Sequence, residues 1–406
     1  MRPRTIAVFT GNRAEYGLQR AILEAIVRRP ALEYKLLVSG AHLDKDFGRT
    51  LDEIRSDGFH IDQEINIDMP GDHLIATAHA IGSGILAMTE SLAKLKPDIL
   101  VVYADRFEGF AAVVAGTQMG IPTAHIEGGD LTEGGALDDS VRHAMTKLAH
   151  LHFTTNQQAT NRVLAMGEEP WRVHTVGFPV LDLIDRGDLS SPDDIAKQLG
   201  IDCGQPIVIF TQHSVATEFD EAGNQIAVII DGIRALANCG IQVVATYPNN
   251  DAGGRRIIAA LEVLKGENNK GIIVRPSLGR RLYHGLLALA RDPARRVVCA
   301  GNSSSGIKET PIFHCPTVNV GSRQAGRLRA DNVIDVDYDR NAFVSAVMTA
   351  LYDDQFRESC RVAENPYGRG GSGAQIAEVL ESVPLNKTLI QKRMTLRGEV
   401  RDGWFR

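Results

Sequence analysis

The chain has 406 residues, 44% hydrophobic and 23% charged, with a formal net charge of −6. Length alone points to two or three domains. The absence of a basic excess argues against a nucleic-acid partner, and no apolar run reaches the roughly 18 residues a membrane helix needs. Five scattered cysteines with no Cys-x-x-Cys pair form neither a disulfide framework nor a zinc ribbon. The expectation is a cytoplasmic protein with reduced thiols.

In chain order, short apolar runs alternate with helix-length amphipathic stretches. The runs are Ile6–Phe9, Tyr34–Val38, Ile99–Tyr103, Thr123–Ile126, Leu151–Phe153 and Val173–Val176, then Ile207–Phe210, Gln242–Thr246, Gly271–Val274, Val297–Cys299, Thr317–Val320 and Val333–Asp335. Helical patterns cover Gly17–Arg29, Leu74–Lys94, Phe107–Met119 and Asn224–Cys239. Uninterrupted apolar strands between helices imply α/β architecture with parallel sheets covered on both faces. Twelve strands exceed one comfortable sheet, so two doubly wound, Rossmann-like domains facing a cleft are expected. The pattern breaks at Asp182–Leu199, where Ser190 or Ser191 caps a helix begun by Pro192. This predicts domains at residues 1–185 and 195–365, with 366–406 as a C-terminal helix and tail.

Ligands of open α/β sheets bind beyond the carboxyl ends of the strands, so candidate site residues lie there. After the first run, Thr10-Gly-Asn-Arg13 opens a helix, and Arg13 at its N-terminus suits an anion. The competing reading is a surface pair of Arg13 with Glu15. Asp105 follows the third run and is either a helix cap or one of two carboxylates at neighbouring strand tips. The second is Glu127, in the stretch His125-Ile-Glu-Gly-Gly-Asp130. Close acids perturb one another's pKa and divide acid and base roles. Asp138, Asp139, Arg142 and His143 open the next helix, Asp138 being the candidate for chemistry and Asp139 and Asp130 for local structure. In the second half, His213 ends a strand, and Gly301-Asn-Ser-Ser-Ser-Gly306 makes a nest for phosphate oxygens. Glu309, one turn on, is placed to accept from ribose hydroxyls, and Arg323 and Arg327 add charge nearby. No His/Cys cluster has metal-ligand spacing, so no metal or cofactor is expected.

Together TGNRAEYG, YADRFEG, HIEGGD, DDSVRHAMTKLAHLHF, TQHSVATE, GNSSSGIKE, GSRQAGR and ENPYG resemble the hydrolysing UDP-N-acetylglucosamine 2-epimerase family. The resemblance implies the two-domain glycosyltransferase-B arrangement, a UDP-sugar substrate and a homodimer or homotetramer. It implies catalytic roles for Asp105, Glu127, Asp138, Arg142 and His213. Substrate or nucleotide contacts are implied for Arg13, His42, Arg106, Asn302, Ser303, Ser304, Glu309 and Arg323. The reaction it implies is elimination of UDP to a 2-acetamidoglycal followed by addition of water, giving N-acetylmannosamine. Non-hydrolysing relatives carry Arg-Pro-Glu in place of Arg13-Ala-Glu15 and Pro-Glu-Glu-Ala-Asn-Arg in place of Asp138–Arg142. A longer Gly128–Leu137 loop, Tyr103-Ala104 and Tyr283-His-Gly285 depart from the family pattern. They leave a 2,4-diacetamido-2,4,6-trideoxy sugar as an alternative substrate. Weaker alternatives are a non-hydrolysing epimerase and a retaining glycosyltransferase.

Overall fold

The computed structural model describes residues 2–43, 51–68, 74–132, 137–185, 187–248, 253–395, 400–401 and 404–405. It divides into two compact units. The first comprises Met1–Asp130, Leu137–Leu183 and Tyr367–Arg406, and the second Leu131–Ala136 and Ile184–Pro366.

The first unit holds the strands β1 (Arg4–Thr10), β2 (Leu32–Ser39), β3 (Gln63–Ile65), β4 (Ile99–Tyr103), β5 (Thr123–Ile126), β6 (Leu151–Thr154) and β7 (Val173–Thr175). They form one parallel sheet in the order β3-β2-β1-β4-β5-β6-β7. The second unit holds β8 (Ile207–Thr211), β9 (Gln242–Thr246), β10 (Ile272–Arg275), β11 (Val297–Gly301), β12 (Thr317–Val320) and β13 (Val333–Val336). Its parallel order, β10-β9-β8-β11-β12-β13, repeats the same winding. Each sheet therefore reverses direction once, between β1 and β4 in the first unit and between β8 and β11 in the second. A crevice opens at such a switch point because the two flanking loops turn to opposite faces of the sheet. Every sequence-derived strand appears. The strands absent from the reading are the antiparallel pair Val400–Arg401 and Trp404–Phe405 and β3, where Gln63-Glu64 at a sheet edge lacks the apolar run that a doubly covered strand shows.

Central strands are buried on both faces, as β4 and β5 are along their whole length. The first unit's core joins Ile6, Val8, Ile22 and Ile26 to Ile376, Ala377, Leu380 and Leu389 from the far end of the sequence. Helix Ser372–Ser382 lies so close to helix Arg13–Val27 that a Cβ on Gly373 would stand 2.7 Å from the Ala21 carbonyl. Beyond it, the fully buried Arg172 donates from Nη1 to Leu389 O and from Nη2 to Thr388 O, both at 2.7 Å. Lys392 Nζ meets the buried Glu168 at 2.8 Å and donates to the carbonyls of Lys147 (2.7 Å) and Ala149 (2.6 Å). The start of the Leu389–Arg406 segment is thus docked onto the first unit. The helix Pro192–Leu199 starts as read, with Pro192 in its first turn and the Ser191 side chain accepting from the Asp194 amide.

Candidate functional site

In the first unit the candidate residues gather at the carboxyl ends of β1, β4 and β5. Asp105 follows β4 through Ala104, whose φ is +53°, and Glu127 follows β5 with a φ of +66°. The left-handed region costs a non-glycine residue roughly 1–2 kcal/mol. Such strain persists where the surroundings impose it, commonly at functional sites. Here the imposition is visible. The Ala104 amide donates to Ile126 O at 3.0 Å and the Glu127 amide to Phe153 O at 2.9 Å. His125, fully buried, donates from Nε2 to Ala104 O at 2.7 Å while its Nδ1 faces Thr146 Oγ1 at 3.1 Å. Burial holds His125 down to about 3, so it is the neutral tautomer that clamps the turn before Asp105.

Asp105 pairs with Arg142, which is only 2% exposed, on helix Leu137–Leu148. Glu127 is likewise buried, and the Tyr103 hydroxyl is pushed well above its usual range by burial and by the Glu127 carboxylate. Two carboxylates, a guanidinium and a phenol are thereby assembled at adjoining strand ends. On the same helix, Asp138 is exposed and Asp139 is buried. Asp130 accepts from Thr155 Oγ1 (3.0 Å) and Asn156 Nδ2 (2.9 Å), which fixes the start of the next helix.

At β1 the structure corrects the surface-pair reading of Glu15. Its carboxylate is buried and accepts from the Gly11 amide at 2.7 Å, while Asn12 accepts from the Glu15 amide at 3.0 Å. This is close to a capping box. It places an internal carboxylate where the sequence suggested an external anion. The Arg13 backbone opens the helix, and its side chain lies outside the described residues. Glu108, 2% exposed, lies beside Glu15, and Arg106 Nε approaches Glu108 Oε2 at 3.5 Å. Burial first and Glu108 second push Glu15 up to about 8. Buried His42 meets Thr10 Oγ1 at 3.1 Å and is held down to about 4 by burial. Neither Glu15 nor Glu108 was singled out from sequence. Their signal was two acids three positions or fewer from a strand-end glycine or arginine, a pattern shared by many surface turns.

In the second unit, β8 and β11 flank the switch point and bring His213 beside Asn302. The His213 amide donates to Asn302 Oδ1 at 2.7 Å and its carbonyl accepts from Asn302 Nδ2 at 2.9 Å. Both ends of the Asn302 side chain therefore hold His213 in place. Gly301 has a φ of +109°, and a Cβ there would stand 2.0 Å from Thr211 O. Only glycine permits this approach. Arg323 Nη1 and Gln324 Nε2 donate to Asn302 O at 3.2 and 2.8 Å. Burial, with Arg323 second, drives His213 well below its usual value, so it acts as a neutral imidazole.

Ser303 and Ser304 form the turn, Ser303 Oγ accepting from the Ser305 amide at 3.4 Å. Glu309 differs from its expected placement. The helix stops at Lys308, and Glu309 follows it with Oε2 2.8 Å from His284 Nε2. Tyr283 reaches Ser305 Oγ at 2.9 Å. Thus Tyr283-His284, read only as a departure from a family pattern, braces the serine turn from behind. Among the described residues no group of three His, Cys, Asp or Glu side chains has the arrangement to hold a metal, and no helix is long and apolar enough to cross a membrane.

A family model described as UDP-N-acetylglucosamine 2-epimerase matches residues 24–381. The chain belongs to this family. Among relatives of the epimerase family, a UDP-N,N'-diacetylbacillosamine 2-epimerase (hydrolyzing) of Legionella pneumophila is 34% identical, over 96% of this chain and 98% of the relative. A UDP-N-acetylglucosamine 2-epimerase of Neisseria meningitidis is 30% identical over 96% and 98%. The solved structure of a Neisseria meningitidis UDP-GlcNAc 2-epimerase, bound to UDP-GlcNAc, superposes with a TM-score of 0.76 at 20% identity, over 93% of this chain and 99% of that one. The epimerase fold is therefore two Rossmann-like units of the glycosyltransferase-B-like class.

The buried histidines give a pH dependence. His42, His150 and His152 are held down to about 4 and His125 to about 3, all with burial as the first cause. An unfolded histidine takes up its proton near 6.5, so each group stabilises the fold above that pH and loses this stability as pH falls toward 4. The rate is at most about 1.4 kcal/mol per pH unit per group. Glu15, raised to about 8, and Glu108, also raised, work oppositely, losing stability as pH rises, but they are two groups against these four and the further lowered His143, His174, His213 and His314. Urea unfolding at pH 5 is expected to give a stability at least about 3 kcal/mol below that at pH 7. An equal or higher value at pH 5 refutes this account.

Proposed function

We propose that this protein is a hydrolysing 2-epimerase of a UDP-linked N-acetylated hexosamine. The observation that carries this reading is the pair Asp105 and Glu127 at the ends of the neighbouring strands β4 and β5, beside the switch point, with Arg142 buried against Asp105. In the proposed reaction one carboxylate removes the C2 proton while the C1–O bond to UDP breaks, leaving a 2-acetamidoglycal. Water then adds at C1 as a second group returns a proton to C2 from the opposite face, and the free manno-configured sugar leaves. A base and a separate acid are both required, and the first unit supplies two carboxylates and a phenol at adjoining strand ends, Asp105 partly exposed and Glu127 and Tyr103 buried. Positioned proton transfer of this kind contributes about 10²–10⁴-fold. Within the second unit, we assign phosphate-oxygen contacts to the Ser303–Ser304 turn, Arg323 and the neutral His213. Preorganised donors of this kind stabilise developing negative charge. Asn302 acts in this scheme through His213, and Glu309 through its pair with His284. Asp138, exposed on the first turn of its helix, is kept as a candidate acid. Arg13, His42 and Arg106 are kept as candidate substrate contacts.

Two substrates fit. UDP-N-acetylglucosamine is favoured by the family and by the Neisseria relative, and a UDP-linked 2,4-diacetamido-2,4,6-trideoxy sugar by the 34% identical Legionella relative. Incubating the enzyme with each in D₂O is expected to release UDP and a free sugar carrying deuterium at C2, with the preferred substrate showing the higher kcat/KM. Transfer to an acceptor without deuterium incorporation would overturn the proposal, and epimerisation with the UDP bond intact would overturn its hydrolytic part.

A further inference from the structure

The second unit carries a cavity of about 250 Å³ at the amino end of β11, whose lining includes Arg295, Arg296, Arg357, Arg361 and His314 together with Asp354 and Glu358. Strand β11 separates it from the Gly301–Ser304 turn by roughly 13 Å, at about 3.3 Å per residue. The proposed nucleotide site therefore does not include it.

Among the residues lining this cavity the guanidiniums outnumber the carboxylates, four to two. Arg357 donates to three backbone carbonyls, Leu351 (3.3 Å), Pro293 (2.8 Å) and Arg295 (3.0 Å), none of which carries a formal charge. Arg296 lies 3.4 Å from Asp354 and Arg361 lies 3.5 Å from Glu358. Both separations exceed the 2.7–2.9 Å of a close charge-assisted bond. Those two acids are 87% and 71% exposed, so water screens their pairing with the guanidiniums. Arg295 alone is matched more tightly, to Asp292 at 3.2 Å. His314 adopts a φ of +56°, and its buried Nδ1 has no hydrogen-bond partner among the described residues. Burial, with Arg296 next, holds the Arg357 guanidinium below its usual range. An added anion would relieve that repulsion.

We propose that this cavity is a binding site for a phosphate-type oxyanion, held between Arg296, Arg357 and Arg361 with His314 beneath. Guanidinium forks approaching from several directions match a tetrahedral dianion better than a planar carboxylate. The volume is below the roughly 300–1,000 Å³ of a pocket for a drug-sized ligand. It accommodates free phosphate or the phosphate end of a larger metabolite.

The test is calorimetric titration of the full-length protein with inorganic phosphate and, separately, glucose 6-phosphate, at constant ionic strength set with chloride. One-to-one binding is expected. The double variant Arg296→Gln/Arg361→Gln, two partly exposed positions, should weaken it at least tenfold, while Ser303→Ala/Arg323→Gln should leave it unchanged. Tighter binding of glucose 6-phosphate would identify a phosphorylated metabolite as occupant, and tighter inorganic phosphate the free ion. Either result supports the site. Undiminished binding in the Arg296/Arg361 variant, loss in the Ser303/Arg323 variant, or equal affinity for acetate would overturn it. Soaking crystals with arsenate gives a second readout, an anomalous peak against Arg357 and His314, and its absence counts against the proposal even if the variants unfold.

Discussion

Changing Glu127 to Gln or Asp105 to Asn is expected to lower kcat by about 10²–10⁴-fold, the range contributed by a positioned proton-transfer group, while UDP binding persists. The two variants differ in a way the structure explains. Glu127→Gln keeps the size and hydrogen-bonding shape of a residue whose backbone is already fixed through its amide to Phe153, so little stability should be lost. Asp105→Asn leaves Arg142, 2% exposed, without its anion. Removing one partner of a buried pair costs about 3–5 kcal/mol. Circular dichroism, UDP titration and single-turnover deuterium incorporation should therefore be measured together. Full turnover in both variants would sink the assignment. Lost UDP binding in Glu127→Gln would mean the carboxylate holds substrate rather than moving a proton.

A stability loss of the same size is expected at Glu168, which is 1% exposed and meets Lys147 at 2.6 Å, His152 at 2.9 Å and Lys392 at 2.8 Å. Burial alone would raise its pKa, but hydrogen bonds from His152, Lys147 and Lys392 outweigh it and hold the group down to about 2. A carboxylate depressed in the fold contributes stability above its unfolded value of 4.5, lost as pH falls through 2. A shift of this size is worth about 3 kcal/mol. Glu168→Gln removes that contribution and strands Lys392, whose ammonium burial already holds down to about 8. The first unit's unfolding free energy at pH 7 should fall by about 3–5 kcal/mol, followed by urea unfolding. A change below about 1 kcal/mol would show the cluster to be a solvated surface pair in solution.

Both sheets were readable from sequence because strands covered on two faces must be apolar throughout, and the runs at Ile99–Tyr103 and Ile207–Phe210 leave no other placement. The strand-end positions followed from the same rule, which is why Asp105, Glu127, His213 and Asn302 could be named in advance. What each side chain does there was less legible. Asn302 looked like a ligand contact and turns inward to His213, because a side-chain amide two bonds from the backbone serves either purpose. Glu309 looked like a free acceptor and is engaged by His284, a pairing across 25 residues that no local pattern encodes. The grouping of Leu131–Ala136 with the second unit was equally hidden. Leu131 O and Thr132 Oγ1 accept from Arg327 at 2.6 and 3.1 Å, nearly two hundred positions away.

The return of the chain to the first unit has a consequence for how the protein is made. Ile376, Leu380 and Leu389 are almost wholly buried in a core begun by Ile6 and Val8. At about 1.5–3 kcal/mol each, these three side chains represent much of the roughly 5–15 kcal/mol net stability of a typical domain. A ribosome that has delivered the first 183 residues has therefore delivered a sheet without its closing helix. Domains usually complete in order of emergence. Here the second unit, nearly continuous between Ile184 and Pro366, reaches its full complement before the first, whose core waits for the segment from Tyr367 onward.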